Sequence, residues 1–510
     1  MSDDTCEDFL NVADNFKLGT LETEKPHPLT EALSEEVHSN LEKAISSLKA
    51  VDSEALQRLR DYLPQLGQLG SDLWDALSTG GNIYLCGCGA TGRLSISLEV
   101  FCRQGLVPDE YQERFIGFMA GGDAALIKSI ENFEDFPEYG KRQLLELGYS
   151  ENDLLISTTE GGETPFVIGA TEAATTVSKR SPWFIHCNPD DQLVQEVERS
   201  RRVIENPKIK HLSLYVGSMG LSGSTRMQAS TVLMAAVGWA IRFGNNAEQF
   251  TSQFEKFRNT WDQLDLSPIT SFIESEADTY SQNEFVIYET ESYAVTVLTD
   301  TTERSPTFSL PPFENETDPD DPPAWCYLSI PSTIDSQSAW KKVLERAPRC
   351  LDWKGIEANT EVDYLRGFYI DQSCRNKRSK KTQKTPHHIF EIKDTPRGFE
   401  LRYRGHNWSI CASELEFFEV NLLLKLILNI HSTLIMGRLN RFESNLMTYV
   451  KPTNFKLIDR TIRYVQRLAE LRGAPKPNYE AVSRKLFAVK DQLSNDEAIV
   501  LRLLEELDIG

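Results

Sequence analysis

Apolar residues recur at three- and four-residue spacing between Leu29 and Leu77, as at Leu56, Leu59, Leu63 and Leu66, which predicts a helical entry segment behind about thirty polar residues that read as a loose arm. From Asn82 the period changes. The apolar run Ile83-Tyr84-Leu85-Cys86 meets a glycine-rich turn over 87–92, and a helix-like stretch opens at Arg93, the strand-turn-helix order of an α/β domain. The same order returns at 115–119 before Ala120-Gly121-Gly122, at 154–158 before Glu160-Gly161-Gly162, at 183–187 before Asn188-Pro189, and at 212–216 before the 217–223 loop. Short apolar strands alternating with helical stretches predict a doubly wound parallel sheet, followed by a long buried helix over 222–243. A weaker α/β pattern follows, with strand candidates at 285–288, 294–298, 326–330 and 368–370 and no comparable glycine turn. The acidic, Pro-rich 314–323 and the basic 375–384 read as solvated loops, and a helical period from Phe455, interrupted at 473–477, predicts a small cap. The expected architecture is α/β: an N-terminal arm and helix (1–54), two tandem doubly wound parallel-sheet domains (55–270 and a degenerate 271–448), and a C-terminal helical cap (449–510).

Composition narrows the partners. Of 510 residues 40% are apolar, enough to fill proper cores, while 54 Lys and Arg against 76 Asp and Glu leave a net charge of −22 that repels nucleic acid and anionic lipid. An anionic ligand must therefore be held by backbone amides and a few local cations. Nine cysteines without zinc-like spacing suggest neither a disulfide framework nor a metal site. The N-terminus lacks the blocks of a signal peptide, and the apolar stretch 420–436 is broken by Asn421, Lys425, Asn429 and His431. The expectation is a cytoplasmic protein with no metal, no cofactor and no membrane or nucleic-acid partner.

Gly87-Cys-Gly-Ala-Thr-Gly92 satisfies the dinucleotide pattern GxGxxG in its required context, yet the next strand ends in Met119-Ala120-Gly121-Gly122 with no acid there to hold a ribose. Phosphate fits better, because hydroxyls and glycines recur where several strands end. Thr91 sits in the first turn, Thr159 and Thr164 flank Gly161-Gly162, and Ser222-Gly-Ser224-Thr225 follows the fifth strand. In an open parallel sheet these ends gather at one crevice, where helix N-termini present unpaired N–H groups to an anion. Thr164-Pro165 is itself a helix start, and Lys456 and Arg460, four apart, share a helix face.

The ordered set resembles the sugar isomerase (SIS) domain family, within it the N-acetylmuramic acid 6-phosphate etherase and glucokinase regulatory protein group. The resemblance is carried by Gly87-Cys-Gly-Ala-Thr-Gly-Arg-Leu94, Ala120-Gly-Gly-Asp123 with Glu131-Asn-Phe-Glu-Asp135, Gly161-Gly-Glu-Thr-Pro-Phe166, and Gly220-Leu-Ser-Gly-Ser-Thr-Arg-Met227. Asn445-Leu-Met447 and Asn454-Phe-Lys456-Leu-Ile-Asp-Arg460 extend it, and the tandem halves resemble the regulatory protein more than the single-domain etherase. The resemblance implies a phosphorylated sugar as ligand. Gly89, Thr91, Gly92, Thr159, Gly161, Thr164, Ser224 and Thr225 then contact or shape its phosphate site, with Asn454, Lys456 and Arg460 reaching in from the cap.

The etherase needs two carboxylates, one to remove the proton beside the open-chain carbonyl and one to protonate the departing lactyl oxygen. Glu134 falls on one of them, while the other falls on Phe101. The second repeat's Asp300-Thr-Thr-Glu303-Arg-Ser-Pro306-Thr-Phe308 resembles the segment holding the missing acid, so Glu303 would complete one site and the chain would be its own dimer. Gly161, Glu163 and Gln228 replace the family's serine, arginine and lysine. Two functions stay open: a carbon–oxygen lyase releasing D-lactate, and a phosphosugar sensor that binds and inhibits a sugar kinase.

Overall fold

The computed structural model describes residues 5–509 apart from 14–17, 131–132, 245, 356 and 495, so Glu131 and Asn132 of the second block lie outside the described residues. Strands β1 (Ile83–Gly87), β2 (Phe115–Met119), β3 (Leu154–Thr158), β4 (Trp183–His186) and β5 (Lys210–Ser213) form a parallel sheet in the order β2-β1-β3-β4-β5. Every residue of β1 and β3 is buried, which is why these strands read as continuous apolar runs. The chain leaves β1 to one side for β2 and returns on the other for β3, and such a reversal opens a crevice at the carboxyl ends.

The second sheet, β6 (Phe285–Thr290), β7 (Cys326–Ser329), β8 (His387–Thr395), β9 (Gly398–Tyr403) and β10 (His406–Cys411), has the order β10-β9-β8-β6-β7. It is mixed: β6 is parallel to β7 and β8, but β8, β9 and β10 form an antiparallel meander that the apolar pattern did not reveal. The expected strand at 294–298 is instead the start of the helix Ala294–Phe308; a run of five with three β-branched residues is ambiguous alone, and it continues into Asp300 and Arg304, which pair along the helix at 2.8 Å. Residues 368–370 lie outside the sheet, tied to it by a hydrogen bond from the Ile330 N–H to the Ile370 carbonyl (2.7 Å). The fifth strand starts and ends earlier than expected, at Lys210–Ser213.

Three polar segments are packed where solvent was expected. In the arm, Leu18, Leu21, Thr23, Glu24, His27 and Thr30 are buried, and the chain bridges Pro26 to Met219. The two charged inserts neutralise each other. Residues of the basic insert form the helix Cys374–Lys381, whose buried Arg378 donates to both carboxylate oxygens of buried Glu314 at 2.6 and 2.7 Å and to the Ala324 carbonyl at 2.6 Å. The helix Phe417–Arg438 is long and apolar enough to cross a membrane, but here it is enclosed by protein, packed on the helices Gln228–Phe243, Ile269–Ser281 and Ala294–Phe308.

Breaking the Glu314–Arg378 pair should strand a buried guanidinium. Glu314→Ala is expected to lower the unfolding free energy by about 3 kcal/mol in urea titrations, and a loss below about 1 kcal/mol would mean the pair does not hold these inserts.

Candidate functional site

The turn after β1 is a backbone cradle. Gly89 takes φ +53°, and Gly92 lies so close to β2 that a Cβ there would stand 2.6 Å from the Met119 Cβ. The Cys88 N–H donates to Thr91 Oγ1 (3.1 Å), and that hydroxyl donates back to the Cys88 carbonyl (2.9 Å). Thr91 is thus committed to shaping its own turn, and the turn offers a ligand the first amides of the helix Gly89–Phe101. Across the crevice, the Thr159 and Thr164 hydroxyls meet at 3.1 Å over a loop pinned by the Asn188 Nδ2 bond to the Gly161 carbonyl (2.9 Å). Thr164 does precede the helix Pro165–Val177, but its side chain makes no capping bond and serves the loop instead. Phe101, standing where the family has an acid, is buried edge-on against Phe418.

The third loop lies under the cap helix Phe455–Leu471. Ser222 Oγ donates to the Glu24 carbonyl (2.7 Å), and Tyr464 donates to the Ser222 carbonyl (2.6 Å). Ser224 is buried and Thr225 half-buried. Asn454 caps the helix by accepting from the Leu457 N–H (2.9 Å). Lys456 and Arg460 do face the loops, each already paired: Lys456 with Glu163 at 2.5 Å, and Arg460 with Glu24 at 2.6 Å. Glu163 also meets Arg199 at 2.5 Å, and Glu24 meets Arg463 at 3.0 Å. Burial alone would raise both carboxyls; the cations outweigh it, Arg460 and Arg463 for Glu24 and Lys456 and Arg199 for Glu163, and hold each down to about 2.

Two halves meet at the acids. Glu134, in the turn Phe133–Asp135, accepts from the Cys88 thiol at 3.5 Å. Buried Glu303, on the helix Ala294–Phe308, lies 3.8 Å from Arg93 Nη1, while Arg93 Nε donates to the neighbouring Thr302 hydroxyl at 3.1 Å. Burial raises the Glu303 carboxyl above the ordinary carboxylate range, against the lowering charges of Arg93, Arg226 and Lys425. The residue pattern missed Arg93, Glu160, Arg226 and Lys425, all buried here. Glu160 had a local signal as a charged residue in a glycine loop at a strand end, and Arg93 and Arg226 stood inside the blocks 87–94 and 220–227 without being assigned a role. Among the described residues, Glu160 Oε1, Glu303 Oε1, Arg93 Nη2, Arg226 Nε and Ser224 Oγ are buried without a hydrogen-bond partner. Buried polar atoms are normally satisfied, so orphans on neighbouring loops and helices, with Arg93 and Glu303 on helices, mark a place for a polar ligand. No metal-holding cluster of His, Cys, Asp or Glu occurs among the described residues.

The fold is that of an α/β protein whose glycine-rich loops gather at the carboxyl ends of a parallel sheet, with Glu303 of the helix Ala294–Phe308 lying 3.8 Å from Arg93. The chain belongs to the SIS domain family, in the group of N-acetylmuramic acid 6-phosphate etherases and glucokinase regulatory protein. The profile of the glucokinase regulatory protein N-terminal SIS domain matches residues 69–175. The N-acetylmuramic acid 6-phosphate etherase of Serratia proteamaculans is 31% identical over 217 residues, 42% of this chain and 67% of that protein. That of Klebsiella aerogenes is 30% identical over 200 residues, 38% of this chain, and the match spans 61% of its length. Among solved structures, the C-terminal domain of glucosamine-fructose-6-phosphate aminotransferase from Francisella tularensis overlays with a TM-score of 0.43 at 12% identity, covering 78% of this chain and 95% of that one.

A carboxylate held near 2 against an ordinary 4.5 contributes stability that is complete above about pH 4.5 and is lost as pH falls toward 2. The unfolding free energy difference between wild type and Glu24→Gln should be constant from about pH 7 to 5 and fall by about half by pH 3 in urea titrations. A difference that keeps its full size at about pH 3 would mean Glu24 is not held by the cap.

Proposed function

We propose that the chain binds a phosphorylated sugar in the crevice between β1 and β3 and acts on it as an N-acetylmuramic acid 6-phosphate etherase-like lyase, releasing D-lactate. Glu303 carries this reading: a buried acid from the second half beside Arg93 of the first, where the family's chemistry needs a second carboxylate and the first half has Phe101. In this assignment 55–270 is the SIS unit with the site, 271–448 a degenerate SIS unit standing in for a partner subunit, and 449–510 the cap. The phosphate rests on the amides at the head of Gly89–Phe101 and on the hydroxyls of Thr159, Thr164, Ser224 and Thr225. Glu134 takes the proton beside the open-chain carbonyl. The electron pair released expels the lactyl oxygen, and Glu303, whose pKa burial raises, gives that oxygen its proton as the C–O bond breaks.

A second reading, a phosphosugar sensor that binds and inhibits a sugar kinase, draws on the match to the regulatory protein's N-terminal domain and on Glu163, which stands where the etherase has arginine and engages Lys456 and Arg199.

Pure protein incubated with N-acetylmuramic acid 6-phosphate should release D-lactate, and Glu134→Gln or Glu303→Gln should slow this by about 100-fold or more while phosphosugar binding persists. Intact binding without lactate from the wild type would overturn the lyase and favour the sensor. Thr159→Val should weaken phosphosugar binding about tenfold by calorimetry; unchanged affinity would count against this site.

A further inference from the structure

Glu160 sits at the carboxyl end of β3, on the loop that carries Thr159 and Thr164. The residue is 7% exposed, and its Oε1 is buried without a partner among the described residues. Its backbone is fixed by the Cys187 N–H, which donates to the Glu160 carbonyl at 3.0 Å. The charged and titratable groups facing it come from every side of the crevice: Glu303 on Ala294–Phe308, Lys425 on Phe417–Arg438, Lys456 on the cap helix, Cys88 at the head of Gly89–Phe101, and Cys187 after β4. The two lysines direct their protons elsewhere. Lys425 donates to the Arg226 carbonyl (2.9 Å) and Thr231 Oγ1 (2.8 Å), and Lys456 to Glu163. An isolated buried carboxyl oxygen is costly, by about 1–3 kcal/mol, unless something supplies its missing bond.

We propose that Glu160 is a ligand-contacting specificity residue that donates its carboxyl O–H to a hydroxyl or carbonyl oxygen of the bound sugar, a contact separate from the phosphate cradle and from the Glu134 and Glu303 chemistry; this rests on the phosphosugar reading above. Burial pushes the Glu160 carboxyl up to about 8, Glu303 adds to it, and the bond from its own N–H and the charges of Lys456 and Lys425 do not reverse it. At neutral pH the side chain is therefore a donor beside an acid, and two adjacent carboxyls do not ionise together. A ligand oxygen that accepts from it satisfies the orphan; an apolar group in the same place leaves it unpaired, which is how such a site discriminates.

Isothermal titration with N-acetylmuramic acid 6-phosphate and with fructose 6-phosphate, across about pH 7 to 9.5, tests this in wild type, Glu160→Gln and Glu160→Ala. The amide keeps a neutral donor, so Glu160→Gln should bind within about threefold of wild type at pH 7, and Glu160→Ala about tenfold more weakly. Wild-type affinity should fall as Glu160 ionises, while Glu160→Gln stays level over the same range. Full affinity in Glu160→Ala overturns the role. So does a parallel fall in wild type and Glu160→Gln, which assigns the titration to Lys425, itself lowered to about 8 chiefly by burial. Should the alanine variant not fold, the two pH profiles decide alone. A wild type that binds neither sugar overturns the phosphosugar reading, and the role of Glu160 with it.

Discussion

Charge buried between the two halves has to be paired, and that requirement orders the molecule. Arg226 of the first half meets Asp300 of the second at 3.1 Å; Asp300 holds Arg304 at 2.8 Å, and Arg304 reaches Glu276 at 2.9 Å, all of them buried. Loss of any member would leave a charge stranded away from water. The network fixes the rotation of the helix Ala294–Phe308, and Glu303 stands three residues beyond Asp300, so once Asp300 is locked onto Arg226 the neighbouring flank faces Arg93. A second clasp works at the edge of the first sheet. Arg346 pairs with Asp123 at 2.6 Å and with Glu99 at 3.0 Å, and its segment covers the open side of β2, an edge that would otherwise invite pairing.

Against that frame the glycine turns act as spacers. The crevice opens where the strand order reverses, and the two loops flanking the reversal, after β1 and after β3, carry Thr91, Thr159 and Thr164. Their hydroxyls bond within or between turns, which stiffens the loops and leaves backbone amides and a few orphaned atoms facing inward. The cap cannot drift from this crevice, because Tyr464, Arg460 and Lys456 hold the loop at Ser222, the arm at Glu24 and the phosphate loop at Glu163.

The first four strands of the first sheet were legible because each is a largely buried apolar run with glycine or proline soon after it, a signal that needs no tertiary context, whereas the polar, partly exposed β5 was displaced by two residues at its start. The second half was less so. Its Ala294–Leu298 run has strand composition but lies in a helix whose facing partners are far along the chain, and β8 opens on half-buried His387, His388 and Ile389 before buried Phe390 and Ile392 alternate with Glu391 and Lys393, which leaves only a short period. The arm and the two charged inserts read as solvated because polarity was visible and pairing was not: Glu24 finds Arg460 across 436 positions, and Glu314 finds Arg378 across 64. The same reason hid Arg93, Arg226 and Lys425, whose meaning comes wholly from the surfaces they are buried against. Thr159 and Thr164 were picked out by their glycine-flanked positions after a strand, and Glu134 and Glu303 by the family resemblance, which keeps local motifs readable even where the surrounding fold is misread.

A chain with a net charge of −22 still has to receive an anion, and the two cap clusters differ in what they can release for it. Glu163 is shared by Lys456 and Arg199, one carboxylate against two cations in direct contact, with Glu134 and Asp135 facing them from further off. If Lys456 turns to a phosphate, Glu163 stays paired with Arg199 and no buried charge is orphaned. The other cluster has no spare cation. Arg460 and Arg463 face Glu24 together with Asp459, which Arg463 also holds at 2.7 Å, two cations against two carboxylates. Withdrawing Arg460 would leave an acid underpaired inside the protein, at a cost of several kcal/mol. Of the two, Lys456 can turn outward without stranding Glu163, while Arg460 locks the arm and the cap together.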